Sequence, residues 1–477
     1  MELLAVPLSD IINCSLRNGE VPSDIKLAKV LPIHKQGNKN DISNFRPISI
    51  LPFFSKLFER VMYDRLFSFI NNKKLLHPFQ HGFQPGHSTF MSLLDIQDKI
   101  TQAMDNNEFS IGIFLDLAKV FDTVDHKILL SKLERYGVRD KALDWFKSYL
   151  TNRYQQVSCN GKLSDFQLIM FGVPQGSILG PLLFLIYING LPHSSTLLHY
   201  ILFADDSNAF LSHASYEELI KIANEELAMA NDWFKANKLS LNISKTNFII
   251  FRSNNKIIPP SDNVLKIDDI IIPQVTSSKF LGVHIDQHLK WNTHILEITK
   301  KISKNIGIIR RIAYLLPPHI LNNLYFTLIY PYLTYCNFIW TSTYNDHLTN
   351  LRVIQKKAIR LITGSAVNSH TRPLYLKFNL LNISQIKLIQ TGVFMYQYNR
   401  NLLPLAFLSY FSPIMPIYDT RSKREYSCIF ARTNSRQFSI KYQGPLVWNN
   451  LPLVIREAKS LVRFKHLIRA HAMSIIM

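Results

Sequence analysis

Cysteine is scarce in this sequence, and the few cysteines that occur are widely separated. The four are Cys14, Cys159, Cys336 and Cys428, and none belongs to a CxxC pair or a Cys/His cluster. Disulfide-stabilised folds and zinc fingers need paired or closely spaced ligands, so both classes of protein are excluded. Scattered thiols are typical of a protein that works in a reducing intracellular compartment.

Long apolar runs are also missing. The strongest candidate, residues 181–188, is followed by Asn189 and Gly190, so it stays well below the roughly 18 residues that a membrane-spanning helix needs. The first residues include Glu2 and Asp10 and no basic leader, so we predict no secretory signal. We therefore expect no membrane partner.

Acidic residues are few compared with basic ones. The chain has 34 Asp and Glu against 54 Lys and Arg, which gives a formal net charge of +20. With 47% hydrophobic residues the composition is that of a folded protein, and 477 residues predict two or three packed units. The excess of positive charge indicates a polyanionic partner, and the lack of a membrane segment favours nucleic acid.

The first 286 or so residues alternate short apolar runs with helical patterns. Residues 109–115 form one such run, which predicts a strand that ends just before Asp116. Asp125 then begins a helix that Gly137 ends, and a second helix is predicted over residues 140–150. This mixture predicts an α+β core.

Two adjacent carboxylates, Asp205 and Asp206, lie within the apolar stretch 199–210. Apolar residues on both sides predict a β-hairpin with the acidic pair at its tip, although a simple turn also explains the pair when it is taken alone. Asp116 is a second isolated acid at a strand end. Carboxylates that gather in one place repel unless a cation neutralises them, and such oxygens suit Mg²⁺. A two-metal phosphoryl-transfer centre needs this composition.

Three segments together resemble the catalytic motifs of reverse transcriptases from non-LTR retrotransposons of the LINE-like, jockey or chicken-repeat type. Residues 114–126 (FLDLAKVFDTVDH) are similar to the first catalytic motif, and residues 203–206 (FADD) to the metal-binding hairpin. Residues 172–181 (GVPQGSILGP) are similar to the motif that positions template and nucleotide. The resemblance implies an RNA-directed DNA polymerase that extends a primer 3′-hydroxyl by two-metal nucleotidyl transfer.

Further segments extend the resemblance over nearly the whole chain. Residues 44–49 and 81–83 resemble fingers motifs, and residues 239–246 resemble a palm segment. Residues 280–283 resemble the primer grip, and residues 444–452 resemble the tail of related retrotransposon products. The implied fold is an α+β right-hand polymerase with fingers, a palm built on an antiparallel sheet, a helical thumb and a helical, loop-rich C-terminal region.

The resemblance places fingers and palm at residues 1–286, the thumb at residues 287–365 and the C-terminal region at residues 366–477. Apolar residues recur at helical spacing in two thumb segments: Ile295, Ile298, Ile302, Ile306 and Ile309, then Leu351, Ile354, Ala358 and Leu361. Basic residues such as Lys356 and Arg360 occupy the other faces. One such face is usually solvated surface, but two behind a polymerase-like core favour contact with nucleic acid.

The resemblance also implies roles for individual residues. Asp116 and Asp205 would bridge two Mg²⁺ or Mn²⁺ ions, with Asp206 in support and the backbone carbonyl of Leu117 as a further ligand. Lys245 would protonate or neutralise the pyrophosphate leaving group, although a lone lysine at such a position is as often merely solvated.

Other residues would contact the substrates. Phe121 matches an aromatic gate against the ribonucleotide 2′-hydroxyl, while a core position is the alternative. Gln175 and Gly176 would lie under the incoming base and the primer strand, although a plain turn also explains them. Arg46 and Gln84 would lie at the nucleotide.

Phe280, Leu281 and Gly282 would form the primer grip. The expected partners are an RNA template, a DNA primer, their RNA–DNA hybrid and deoxynucleoside triphosphates. We expect the protein to act inside the cell, in the nucleus or the cytoplasm, as a ribonucleoprotein.

Three positions depart from the family pattern. Gln84 stands where the family usually has arginine, which removes a charge-assisted contact to the triphosphate; Val120 and Gly190 also differ. An inactive, diverged remnant that only binds nucleic acid is therefore the alternative hypothesis. A maturase or telomerase is a third, against which the segment around Trp448 argues. We also expect the chain to be the polymerase and C-terminal part of a longer product, without its endonuclease.

Overall fold

The computed structural model describes residues 2–35, 37–260, 262–414 and 425–475. Residues 415–424 and 476–477 of the predicted C-terminal region lie outside these ranges. The chain has a first part of mixed strands and helices and a second part built from helices.

The first part extends to Asp286. Its helices are α1 (Glu2–Asn18), α2 (Phe53–Asn72), α3 (Thr89–Asp105), α4 (His126–Arg135), α5 (Asp140–Leu150), α6 (Leu179–Ile188) and α7 (Tyr216–Ala236). Its strands are β1 (Leu27–His34), β2 (Phe45–Ile50), β3 (Phe109–Leu115), β4 (Arg153–Cys159), β5 (Lys162–Leu163), β6 (Gln167–Ile169), β7 (His199–Phe203), β8 (Asp206–His213), β9 (Asn247–Phe251), β10 (Lys266–Ile267), β11 (Ile270–Ile271), β12 (Ser277–Phe280) and β13 (Val283–Asp286).

The second part begins at Asn292. Its helices are α8 (Asn292–Ile312), α9 (Pro318–Leu328), α10 (Tyr330–Thr334), α11 (Asn337–Trp340), α12 (Thr349–Ile362), α13 (Thr371–Lys377), α14 (Ile383–Asn399), α15 (Asn434–Gln437), α16 (Ile440–Asn450), α17 (Leu453–Arg456) and α18 (Leu461–Ser474).

An antiparallel sheet with the strand order β7-β8-β3-β9 forms the centre of the first part. One of its two inner strands, β3, covers the predicted residues 109–115, and all 7 are buried. Side chains alternate between the faces, so Ile111 and Ile113 enter one hydrophobic core while Phe114 enters another. The strand therefore delivers Asp116 to the end of the sheet.

The two helices predicted after β3 are confirmed. Asp125 is the N-cap of α4, and its carboxylate accepts hydrogen bonds from the backbone N–H groups of Lys127 and Ile128 at 2.9 and 3.0 Å. Gly137, with φ +99°, follows the end of α4. α5 has the predicted bounds, Asp140 to Leu150. The predicted α+β class is confirmed as well.

A second sheet, with the order β2-β1-β4-β5 and β6 beside β4, lies apart from the central one. β1 pairs with β2 antiparallel and with β4 parallel. Arg46 lies on β2 opposite Ile33 of β1, and both side chains are exposed. The backbone N–H of Ser49, at the end of β2, donates to the Gln175 carbonyl at 2.7 Å, which ties this sheet to the predicted nucleotide-positioning loop.

Two hydrophobic cores lie on opposite faces of the central sheet. The first includes side chains of α2 and α4–α7. The second joins α3, represented by Ile96, to thumb residues such as Ile302 and C-terminal residues such as Phe464. All five predicted isoleucines of α8 are buried in it. Apolar residues before and after position 365 share this core, so the thumb and C-terminal helices pack as one body.

Ion pairs attach the C-terminal helices to α3. Arg436 Nη1 lies 2.6 Å from Asp98 Oδ1, and Lys441 Nζ lies 2.8 Å from Asp98 Oδ2. The Thr433 amide and hydroxyl donate to Asp105 at 2.7 and 2.9 Å. Because Arg436 and Asp98 are buried, removal of Asp98 would leave the Arg436 charge uncompensated, and removal of Arg436 would leave Asp98 with the Lys441 ion pair in place of two.

None of the helices in the described ranges has the combination of length and apolar character that crossing a bilayer requires. The strongly apolar α6 has 10 residues and is buried in the first core.

Candidate active site

The acidic pair lies at a tight hairpin, as predicted. Ala204 and Asp205 connect β7 to β8, and Phe203 pairs with Asp206 across the turn. Ala204 has φ +57°, the left-handed conformation that a two-residue hairpin turn requires at its first central position. The hairpin therefore holds Asp205 and Asp206 at its tip.

A segment before α3 supports this tip from behind. The Gln80 side-chain oxygen accepts hydrogen bonds from the backbone N–H groups of Gly82 and Ala204 at 2.8 and 3.1 Å. A Cβ atom at Gly82 would lie 2.2 Å from the Ala204 nitrogen, so only glycine fits here. Gln80 is a supporting residue that the sequence analysis missed, because its partner lies more than 120 residues away.

Asp116 lies at the neighbouring strand end. Leu115 of β3 pairs with Ser207 of β8, so the next residue, Asp116, falls beside the hairpin tip. Its backbone is fixed on the other side: the Asp116 carbonyl accepts from Asn242 N at 2.7 Å, and its N–H donates to Thr246 Oγ1 at 3.3 Å. The structure thus brings together the three carboxylates that the sequence analysis selected.

The pKa of Asp206 reflects desolvation first and the neighbouring negative charges second. The residue is partly exposed, and the surrounding protein removes part of the solvation of its carboxyl. This desolvation, together with the negative charges of Asp205 and Asp116, raises the pKa of Asp206 to about 6, and Lys35 partly opposes the shift. Lys35 is therefore a cation close enough to the acidic hairpin to act on its charge.

These residues lie within a segment, residues 33–285, that matches the family model described as "Reverse transcriptase (RNA-dependent DNA polymerase)". The match covers more than half of the chain. The chain belongs to the reverse transcriptase family. The right-hand polymerase class that the motifs implied is confirmed.

Relatives of this reverse transcriptase include RNA-directed DNA polymerases of Drosophila melanogaster retrotransposons. The protein of the transposon X-element is 29% identical over 363 residues, which are 74% of this chain and 39% of the relative. That of the mobile element jockey is 28% identical over 381 residues, 77% of this chain and 41% of the relative. The predicted kinship with non-LTR retrotransposon enzymes is confirmed, and the chain spans about 40% of these relatives' length.

Solved structures similar to the reverse transcriptase include telomerases. The telomerase of Candida albicans, in complex with a fragment of telomeric RNA, is 12% identical, with a TM-score of 0.39, over 78% of this chain and 68% of that one. Apo telomerase of Candida tropicalis is also 12% identical, with a TM-score of 0.42, over 81% and 67% of the two chains.

Reverse transcriptases use divalent metal ions, so the acidic cluster can be compared with what such ions need. In the part of the chain that the structure describes, no three His, Cys, Asp or Glu side chains are close enough to hold one ion by themselves. Mg²⁺ at phosphoryl-transfer sites takes one or two carboxylates and completes its shell with substrate oxygens and water. Asp116 and the Asp205–Asp206 tip fit this requirement. Among the described residues the Leu117 carbonyl accepts no hydrogen bond, so it remains available as a ligand.

The predicted nucleotide-positioning loop is fixed in this reverse transcriptase by hydrogen bonds to the consecutive residues 121 and 122. Val173 N donates to the Phe121 carbonyl at 2.7 Å, and the Gln175 side chain donates to both Asp122 oxygens at 3.0 and 3.1 Å. Gly176 has φ +118°, and a Cβ atom there would lie 2.7 Å from the Ser49 carbonyl. Gln175 therefore has a fixed orientation, and Gly176 allows the close approach of β2.

Buried Glu59 of α2 holds the next part of this loop. Its two carboxylate oxygens accept from Ile178 N and from the Tyr149 hydroxyl, each at 2.7 Å. Burial raises the pKa of Glu59, while these hydrogen bonds oppose the shift. The carboxylate thus fixes the start of α6 two residues after Gly176. Nothing near Glu59 in the chain indicates these partners, so its role is visible only in the folded structure.

Phe121 lies at the edge of the first core. Its ring is half-buried, with its centroid 5.0 Å from that of Phe184 and 6.4 Å from that of Phe83. The Phe121 ring therefore packs against the core with one side and is accessible to solvent on the other. Val120, one of the departures, is buried in the same core.

Three predicted polar residues differ in what they contact. Lys245 is exposed in the turn whose first residue, Asn242, donates its backbone N–H to the Asp116 carbonyl. Arg46 is exposed on β2. Within the described ranges, neither side chain forms a hydrogen bond or ion pair. Gln84 instead donates its side-chain N–H to the Gln80 carbonyl. The neutral residue at position 84 thus adds to the support of the acidic hairpin.

The predicted primer grip is a second hairpin, formed by β12 and β13. Its two turn residues, Leu281 and Gly282, have φ +45° and +81°. The Tyr335 hydroxyl, from the thumb, donates to the Leu281 carbonyl at 2.6 Å. Phe280 is buried, and its ring lies 6.4 Å from that of Phe114, two residues before Asp116. The hairpin therefore connects the thumb to the strand that bears the first carboxylate.

Proposed function

We propose that this chain is an RNA-directed DNA polymerase that extends the 3′-hydroxyl of a DNA primer along an RNA template. The observation that carries the proposal is the meeting of Asp116 with the Asp205–Asp206 tip at one end of the central sheet. The family match and the retrotransposon relatives support the same activity.

Asp116, Asp205 and the Leu117 carbonyl would hold two Mg²⁺ or Mn²⁺ ions, with Asp206 in support. When bound, such ions lower the pKa of the primer hydroxyl and stabilise the charge that develops on the phosphate. Asp206, whose pKa is about 6, is largely ionised at neutral pH and can therefore serve as a ligand there. Gathered carboxylates would otherwise repel each other, so the apo site favours cation binding.

The remaining site residues would orient the substrates. Gln175 and Gly176, fixed as described, would support the incoming base and the primer end. Phe121 would exclude a 2′-hydroxyl. Arg46 and Lys245 are free to contact the triphosphate and the pyrophosphate through their charges.

Phe280, Leu281 and Gly282 would position the primer strand. The partners are then an RNA template, a DNA primer, the hybrid that they form and deoxynucleoside triphosphates. The net charge of +20 supports tight, salt-dependent binding of these polyanions.

A primer-extension assay on a primed RNA template with Mg²⁺ or Mn²⁺ tests the proposal. Asp116→Asn and Asp205→Asn should each lower extension by about 100-fold or more, since each removes charge at the metal site. Asp64→Asn is the matched control, because Asp64 is exposed on α2 and forms an ion pair with Arg60 of the same helix. The proposal is wrong if the parent chain binds the primed template without extending it, or if the carboxylate variants extend as the parent does. The first of these outcomes would select a protein that only binds nucleic acid.

A further inference from the structure

A cavity of about 910 Å³ opens between the thumb helix α12 and the C-terminal helices α13, α14 and α18. Arg352, Lys356, His370 and Arg372 line it, with Tyr375 among the apolar and aromatic residues of its wall. All of its lining residues lie after position 344, outside the segment that matches the reverse transcriptase family. The polymerase centre therefore does not explain this cavity.

The cavity lining contains no acidic residue among the described positions. Lys356 and Arg372 are exposed, and within the described ranges neither makes a hydrogen bond or an ion pair. Arg352 donates from Nη2 to neutral acceptors, Asn345 Oδ1 at 2.9 Å and Ser384 Oγ at 3.4 Å. Three cations thus face one space that the protein itself does not neutralise, and such a cleft concentrates anions.

An adjoining cavity of about 200 Å³ adds a further cation. It shares Asn345, Arg352 and Ser384 with the larger one, and Lys387 lines it. The Lys387 ammonium donates to the Thr341 carbonyl at 3.1 Å, and burial lowers the pKa of Lys387 to about 8. The described residues of this cavity lining offer the ammonium no acidic group, so an anion bound in the adjoining cavity would stabilise its charged form.

We propose that the two adjoining cavities bind a phosphodiester unit of single-stranded RNA, at a site separate from the polymerase centre. A volume in the range of about 300–1,000 Å³ suits a ligand of nucleotide size, and a duplex is too wide to enter it. The planar guanidinium groups of Arg352 and Arg372 match phosphate oxygens, and Tyr375 offers an aromatic surface beside them. The choice of RNA rests on the proposed function, which supplies an RNA template with unpaired segments.

The structure also separates two basic residues that the sequence analysis treated alike. Lys356 lines the cavity, whereas Arg360 Nε donates to the Ser369 carbonyl at 2.9 Å and so helps to hold the loop after α12. We therefore expect Lys356 to bind RNA and Arg360 to act mainly on the local structure.

The test is a binding titration of the full chain with a labelled oligo(U) RNA at several salt concentrations. Lys356→Gln combined with Arg372→Gln should weaken binding by about tenfold and lower the salt slope by about 1.4, which corresponds to two lost phosphate contacts on a single strand. Lys357→Gln with Arg463→Gln is the matched control, since both residues are exposed and neither lines the cavities. The control pair should bind RNA as the parent does.

Cross-linking gives a second readout that does not depend on variants. Oligo(U) that contains photoreactive 4-thiouridine should attach to peptides from residues 345–387. Equal loss of binding in the control pair, or cross-links confined to residues before 286, would overturn the proposal. Competition by inorganic phosphate as strong as by RNA would also overturn it, in favour of a small-anion site.

Primer extension on a short primer–template with only a few unpaired template nucleotides separates this proposal from the polymerase proposal. The Lys356→Gln, Arg372→Gln chain should extend such a substrate at the parental rate, because the short overhang is copied at the polymerase centre and leaves no further single strand for the cavities. Asp205→Asn should show the reverse, with extension lost and oligo(U) binding retained.

Discussion

The palm centre and the basic cavity differ in the sign of the charge that each leaves uncompensated. In the palm, Asp206 faces Asp116 and Asp205, so that site attracts cations. Between the thumb and the C-terminal helices, Lys356 and Arg372 face open space without acidic neighbours in the cavity lining, so that site attracts anions. One strongly basic chain thus keeps a metal-binding centre and an RNA-binding surface apart, and each can be disturbed without the other.

The largest effect is expected where the two regions are joined. Arg436→Met should lower the free energy of unfolding by about 3 kcal/mol, because Asp98 would lose its closest partner in a buried setting. Urea unfolding measures this, and it should show a loss of extension and RNA binding in a single transition. Arg463→Met, on the exposed face of α18, is the control and should change stability little. Two separate transitions, or an unchanged midpoint, would mean that the palm and the C-terminal helices do not depend on each other.

A smaller effect, confined to the palm, is expected from Glu59→Gln. The substitution keeps the size of the side chain but removes its negative charge, so the charge-assisted hydrogen bonds to Ile178 N and to Tyr149 become weaker. We expect kcat of extension to fall about tenfold, since the loop around Gly176 loses its fixed position. Binding of oligo(U) should not change.

Glu217→Gln is the control for this substitution, because Glu217 is exposed on α7. If Glu59→Gln weakened RNA binding as much as extension, Glu59 would stabilise the whole fold and would not position the loop.

The smallest effect concerns the charge of Asp206. Its pKa in the folded protein, about 6, is above the ordinary value of 3.8, so the folded state favours the protonated form. That contribution to stability is present at low pH and is lost as the pH rises through 6. Asp206→Asn should therefore stabilise the metal-free chain at pH 8 by up to about 1 kcal/mol, because solvent screens a partly exposed charge, and should have little effect at pH 4.

Thermal unfolding in the presence of a chelator, at both pH values, measures this difference. Asp64→Asn should show no such pH dependence. Added Mg²⁺ should stabilise the parent more than the variant, as a ligand of the folded state does. A variant that is less stable than the parent at pH 8 would show that Asp206 is not held in repulsive surroundings.

Local sequence was enough to predict the elements that carry the acidic centre. A short apolar run bounded by Asp116 predicted β3, and paired apolar flanks around Asp205 predicted the hairpin, because strand pattern and turn chemistry act over a few residues. The sequence also identified the reactive groups as carboxylates. Carboxylate oxygens are ligands that divalent cations prefer, so the residue type alone predicted the kind of ion.

Only the tertiary structure decided which distant groups support and surround those elements. Gln80 reaches Ala204 and Glu59 reaches Ile178 across more than 100 residues, and no local pattern contains either bond. The basic cavity has the same origin, since it arises from helices that share one hydrophobic core on both sides of position 365. The local sequence pattern thus determined which chemical groups form the acidic centre. Packing between residues far apart in the chain determined how firmly that centre is held and created the basic cavity, because such long-range contacts form only when the whole chain is folded.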